Sequence, residues 1–168
     1  MRTNEGTSAT TVESPNPATE SVTAVPTATK CRGLRGATTV VANTAEDILE
    51  ATDELMHVLI HLNDLDPDEV ASMFFTTTPD LTAIFPALAA RSAGWTGVPL
   101  ICSHEMNVPG SLQKAVRVLI HVNTTKASNE MRHVYLKGAR QLRPEWAYSD
   151  EQIAEILADA SAHTVARG

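Results

Sequence analysis

Two histidines four residues apart, a short acidic run, a cysteine close to a histidine and a spaced set of arginines are the parts of this 168-residue sequence with chemical potential. His57 and His61 stand at i and i+4, a spacing two zinc ligands can use, but there is no H-E-x-x-H and no third ligand nearby, so they read as ordinary helix histidines. Asp64, Asp66, Asp68 and Glu69 open like a calcium loop. Glu69 stands where that loop needs glycine and Phe75 where it needs its last carboxylate, so the reading fails. Cys102 and His104 share a strand face but have no evident orienting acid, which makes nucleophilic catalysis the weaker reading. Glycine-rich phosphate loops and G-x-S-x-G are absent from the sequence.

The arginines remain, and their placement is uneven. The formal charge of -7 argues against a general nucleic-acid or anionic-membrane binder, whose footprint is basic. Yet residues 36–90 hold no Lys or Arg against ten acids, while residues 91–143 hold eight Lys or Arg against only Glu105 and Glu130. That cationic stretch offers only Trp95 and Tyr135 for base stacking, which weakens an RNA-binding reading. Arginine cannot deprotonate at working pH, and its fork grips carboxylates bidentately, so spaced arginines without a nucleophile–base pair suit the orientation of a small anion. Arg117 is the strongest single candidate, because it shares a strand side with Leu119 in an otherwise apolar run where an unpaired cation is costly.

The elements that must position these groups follow from patterning. Residues 1–30 contain eleven Ser or Thr, three Pro and no Leu, Ile or aromatic residue, and read as a disordered tail. Residues 34–41 read as a strand. Thr44 with Asp47 forms a capping box for a helix whose apolar stripe is Ile48, Leu55, Leu59 and Leu62. Asp66-Pro67 opens a short helix to about Ser72. Strands are expected over 74–78, 98–102, 117–123, 133–136 and 139–142, with a helix over 86–93. Ser149 with Gln152 caps a closing helix striped by Ile153, Ile156, Leu157 and Ala160. The expected class is α/β, or α+β with a mixed sheet: a domain over 31–144 and an extension over 145–168. Cys31 and Cys102 form no disulfide framework, and no segment has membrane-span or signal-peptide character, so a soluble cytoplasmic protein is expected.

Five separated motifs then stand in register. They are C-R-G-L-R-G-A-T-T-V from Cys31; T-P-D-L from Thr78 with F-P-A from Phe85 and Arg91; V-P-L-I-C from Val98 with Glu105-Met106; Arg117-Val118; and R-H-V-Y-L from Arg132 with L-R-P from Leu142. Together they closely resemble the monofunctional chorismate mutases of the AroH type, a trimeric α/β family typified by the Bacillus enzyme. The resemblance implies a pseudo-barrel homotrimer with helices outside the sheet, pockets between subunits, no cofactor and no metal. It implies isomerisation of chorismate to prephenate by an intramolecular [3,3] rearrangement in phenylalanine and tyrosine biosynthesis.

By the same resemblance Arg117 faces the ether oxygen, Arg35 and Tyr135 bind carboxylate, and Cys102 and Glu105 contact the ring hydroxyl. Phe85, Ala87, Arg91 and Leu142 match the wall or rim, with Arg143 a further anion contact. Leu88 and Ile101 depart from the Bacillus-type lysine and threonine and soften the rim's polarity. The rivals are a non-catalytic trimeric ligand-binding module of the same fold and a Rid-type imine deaminase. The resemblance does not extend to the closing helix, which has no family counterpart.

Overall fold

The structure, a computed structural model, describes residues 28–166, with side chains described to residue 162. Nearly all of the Ser/Thr/Pro-rich segment read as a disordered tail lies outside the described residues. Five strands, β1 (Lys30–Thr39), β2 (Val70–Thr77), β3 (Leu100–His104), β4 (Ala115–Thr124) and β5 (Val134–Tyr135), form one mixed sheet in the order β3-β2-β4-β1-β5. β4 runs antiparallel to both β1 and β2, while β3 is parallel to β2 and β5 to β1.

Helix α1 (Ala45–Asn63) covers one sheet face. The Thr44 hydroxyl accepts the Asp47 N–H at 3.1 Å, the expected cap. From there Ile48, Leu55 and Leu59 are fully buried. Leu55 and Leu59 join Leu34, Met73, Phe75, Val118 and Ile120 in the main core. Gly36 is what lets the helix approach: a Cβ there would sit 2.6 Å from Leu59 Cδ1 and 3.1 Å from Leu55 Cδ1. The glycine after Arg35 in the first motif therefore has a packing cause.

Helix α2 (Ala87–Ser92) lies against α1 and the β3 edge. Helix α3 (Asp150–Ala166) opens with the expected Ser149–Gln152 box and lies on α1. Ile153 is buried, and Ile156 and Leu157 pack against the same core.

Two expected elements differ. The segment after Asp66-Pro67 makes only the 3-10 turn Pro67–Glu69 before β2 begins at Val70. Pairing of residues from Val70 onward with β4, which buries Met73 and Phe75, overrides the local helix signal. The strand expected over 139–142 is instead the 3-10 turn Lys137–Leu142. Lys137 takes a left-handed φ of 49°, and Gly138 N–H donates to Thr39 Oγ1 at 3.0 Å, which turns the chain off the ladder and folds Ala139 and Leu142 over Tyr135.

Candidate active site

The helices cover one sheet face, and strand alternation puts Arg35 and Arg117 on the other. Pairing partners in adjacent strands share a face, so register defines rows across the sheet. One row runs Ser103, Thr76, Arg117, Ala37, Tyr135. The next runs Ile101, Phe74, Leu119, Arg35. Arg35 and Arg117 are therefore diagonal neighbours on adjacent strands, with Cα atoms about 7–8 Å apart by sheet geometry.

Arg117 sits at the centre. Its Nη1 lies 2.6 Å from Glu105 Oε2, and the Thr76 hydroxyl donates to Glu105 Oε1 at 2.6 Å. Glu105 follows the end of β3, and its N–H donates to the Thr77 carbonyl at 2.9 Å, which fixes its side chain on the Arg117 side. Both side chains are largely sheltered, at 30% and 15% exposure. Arg117 Nε is buried with no acceptor among the described residues. A buried guanidinium N–H without a partner is costly, and an anionic oxygen brought to it relieves that cost.

A second cluster lies at the β5 edge. Arg35 N–H donates to His133 Nδ1 at 3.1 Å. The His133 ring contacts Trp146 at 4.1 Å between centroids, and the Arg143 guanidinium lies 3.7 Å above the Trp146 ring. Burial, with the neighbouring Arg35 and Arg143 charges, holds the His133 imidazole below its usual pKa, which favours the neutral ring that accepts the Arg35 N–H. Tyr135 is 2% exposed, packed with Ala37, Ala139, Leu142 and Trp146. Arg143 Nε also bonds Glu145 at 2.6 Å. Glu145 is held below the ordinary carboxylate range by its own backbone N–H and by Arg143.

The third group stands at the opposite edge. Phe85 is 69% exposed, Ala87 is buried at the start of α2, and Arg91 is exposed, with no ion pair among the described residues. Cys102 pairs with Phe75, so its thiol faces the helices and packs on the core. Met73 N–H bonds the Pro99 carbonyl and Glu105 N–H the Thr77 carbonyl, so odd-numbered residues of β3 pair with β2 and the Cys102 backbone points outward. The main chain of Cys102 faces the free edge, and its thiol does not join Glu105. With β3 and β5 at opposite ends of the strand order, Arg91 and Phe85 do not meet Arg35, Tyr135, Leu142 and Arg143 within one chain. Four inter-strand spacings separate the edges, about 19 Å.

The discarded motifs have structural partners. His57 Nδ1 is 3.1 Å from Asp53 Oδ2, His61 Nε2 is 3.0 Å from Asp159 Oδ2, and His104 Nδ1 is 3.0 Å from the Thr77 hydroxyl. His121 is on the open face but engages the Ser72 hydroxyl at 2.9 Å and the edge of Phe74. Sequence reasoning missed Thr76, His133 and Trp146. Thr76 was reachable by alternation along β2, and His133 stood inside the quoted R-H-V-Y-L motif, whereas Trp146 carried no local signal.

The chain matches the family model described as chorismate mutase type I over residues 31–146. It is 45% identical over 115 residues to chorismate mutase AroH of Bacillus subtilis (strain 168), covering 68% of this chain and 91% of that relative. The chorismate mutase AroH of Thermus thermophilus is 46% identical over 115 residues, covering 68% and 94%. A solved chorismate mutase from Clostridium thermocellum superposes with a TM-score of 0.64 at 49% identity, covering 65% of this chain and 97% of that one.

Proposed function

The chain belongs to the type I chorismate mutase family, and from that premise we propose that the arginine-bearing face of its sheet isomerises chorismate to prephenate. The reaction is an intramolecular [3,3] rearrangement: the ether C–O bond of the enolpyruvyl group breaks as a C–C bond forms, with no proton transfer and no covalent enzyme intermediate. The protein's task is to hold the dianion in its folded conformer and stabilise negative charge on the departing ether oxygen.

The observation that carries this reading is that the Arg117 guanidinium, fixed at Nη1 by Glu105, has a buried Nε with no acceptor among the described residues. Arg117 donates to the ether oxygen and an adjacent carboxylate. Its position is set before substrate binds, so little reorganisation is needed as charge develops. Arg35, one diagonal step away, grips a carboxylate, and Tyr135 in the Arg117 row borders it. Glu105 accepts from the ring hydroxyl, with the outward main chain of Cys102 as a second contact.

The separation of the two edge groups supports a site shared between copies. A neighbour that sets its β3 edge against the β1–β5 edge brings Phe85, Ala87 and Arg91 to Leu142 and Arg143. Such head-to-tail contacts join different patches and close into a ring, here the homotrimer of the family. Exposed Phe74, Ile101, Met106 and Val108, at 42%, 53%, 85% and 52%, supply apolar surface for that contact. No described helix is long and apolar enough to cross a membrane, which accords with a cytoplasmic enzyme of aromatic biosynthesis.

The test is direct. Purified protein is incubated with chorismate while its absorbance loss and prephenate formation are followed, with Arg117→Ala alongside. Conversion by the native chain and its collapse in the variant are expected. No conversion by the native chain overturns the function, and full activity in the variant overturns only the role of Arg117.

A further inference from the structure

Helix α3 begins beyond residue 146, where the match to the family ends, and it is attached to the segment that carries Arg143. We propose that α3 is a latch that holds this rim segment in its substrate-ready position, with Trp146 as the positioning residue that transmits the hold to Arg143. The proposal rests on the mutase reading above and adds an element to it.

The chain of contacts runs without a gap from core to rim. Ile153, 4% exposed, and half-buried Ile156 and Leu157 anchor α3 in the main core beside α1. Asp150, the first residue of α3, pairs with Arg140 of the rim turn Lys137–Leu142. Just before α3, Tyr148 N–H donates to the Tyr135 carbonyl at 3.2 Å and Ala147 bridges to Tyr135, so the chain returns to the sheet edge it left. Between those two tethers Trp146 lies on His133 and Tyr135, and Arg143 lies on Trp146.

Arg143 is thus held by stacking on a ring that is itself fixed from both ends. A rim tethered only at Tyr135 would lose its conformational freedom when substrate binds, and that loss would weaken apparent affinity. With α3 docked, ordering accompanies folding instead.

The consequence is an effect on KM transmitted through Arg143. If undocking α3 leaves the rim correctly placed in about a tenth of molecules, KM rises about tenfold. Turnover at Arg117 changes less than about twofold, since the reacting centre is elsewhere.

The experiment compares the full chain with Ile153→Asp/Leu157→Asp, each with Arg143 intact and as Arg143→Ala, measuring kcat, KM and cleavage of α3 after Glu151 and Glu155 by a glutamate-specific protease. The milder Asp150→Ala serves the same comparison if the double variant fails to fold. A KM increase seen with Arg143 present and absent from the Arg143→Ala background is the expected result. Unchanged KM in a chain whose α3 has become cleavable overturns the latch. Equal KM increases in both backgrounds also overturn it, because α3 would then act on the whole fold. Failure of the native chain to convert chorismate strikes the function itself, and is distinguished by that measurement alone.

Discussion

Arg117 and Glu105 meet at 2.6 Å on the open sheet face, and the pairing leaves Arg117 Nε buried without an acceptor among the described residues. One guanidinium edge is spent on positioning while another donor waits for a ligand. Glu105 is in turn held by the Thr76 hydroxyl, so three strands or strand ends converge to aim one cation. Removing that preorganised donor by Arg117→Ala is expected to lower kcat by about 10²–10³-fold or more, from the cost of losing one such donor. Arg117→Lys keeps charge without the fork and should recover only part of it. Steady-state kinetics on chorismate check both.

Sharing of the site between copies predicts complementation. Arg35 lies on β1 beside the edge strand β5 and Arg91 on α2 against the opposite edge strand β3, so Arg35→Ala and Arg91→Ala should each be poorly active alone. Unfolded together and reassembled in equal amounts, roughly a quarter of the inter-copy sites would carry both native halves, from random pairing in a closed ring. Recovered activity near that fraction is expected; a mixture no better than its parts would argue that each site lies within one chain.

The orientation of Cys102 predicts a dissociation of thiol from main chain. Cys102→Ala retains the outward backbone and loses only a core contact, so kcat and KM should stay within about twofold while stability falls by about 1 kcal/mol. Denaturant midpoints and kinetics on the same preparation separate the two effects.

Gly36 predicts a packing penalty. Gly36→Ala puts a methyl 2.6 Å from Leu59 Cδ1 and should destabilise by about 1–3 kcal/mol through overpacking. Because the clash is with that side chain, Leu59→Ala should offset part of it, making the double variant more stable than the sum of the single effects.

His133 sets a pH dependence. Its pKa in the folded chain lies below the ordinary 6.5, first through burial and then through Arg35 and Arg143. Between the folded value and 6.5 the unfolded chain therefore binds more protons, and stability rises with pH across that window. The contribution is complete above pH 6.5 and is lost as the pH falls toward the folded value. His133→Gln keeps an acceptor for the Arg35 N–H and should flatten this acid slope in denaturation midpoints.

Local pattern made several of these parts readable in advance. Thr44 and Asp47 announced the start of α1, and the period-two alternation around Arg117 placed it with Leu119 and away from Val116 and Val118. The expected strand stopped at Cys102, and only the run of β3 on to His104 shows that Cys102 and Glu105 turn to opposite faces. Where pattern misled, distant contacts had outweighed it: the Asp66-Pro67 helix signal yielded to the β2–β4 ladder, and the segment over 139–142, expected as a strand, was folded over Tyr135.

What the sequence determined by itself was a kind of chemistry and its family: five registered motifs, four of them bearing arginine, with no nucleophile–base pair, suited to holding a small dianion. The partition between open and covered faces also lay within it, because side-chain direction depends on each strand alone. Tertiary structure decided which cations meet. Arg35 and Arg117 are neighbours because β1 pairs with β4, whereas Arg91 lies across the sheet because β3 takes the far edge. Strand order depends on pairing between segments remote along the chain, and no local spacing encodes it. The stack of Arg143 on Trp146 and His133 arises in the same way, from a chain end that returns to the sheet edge it left.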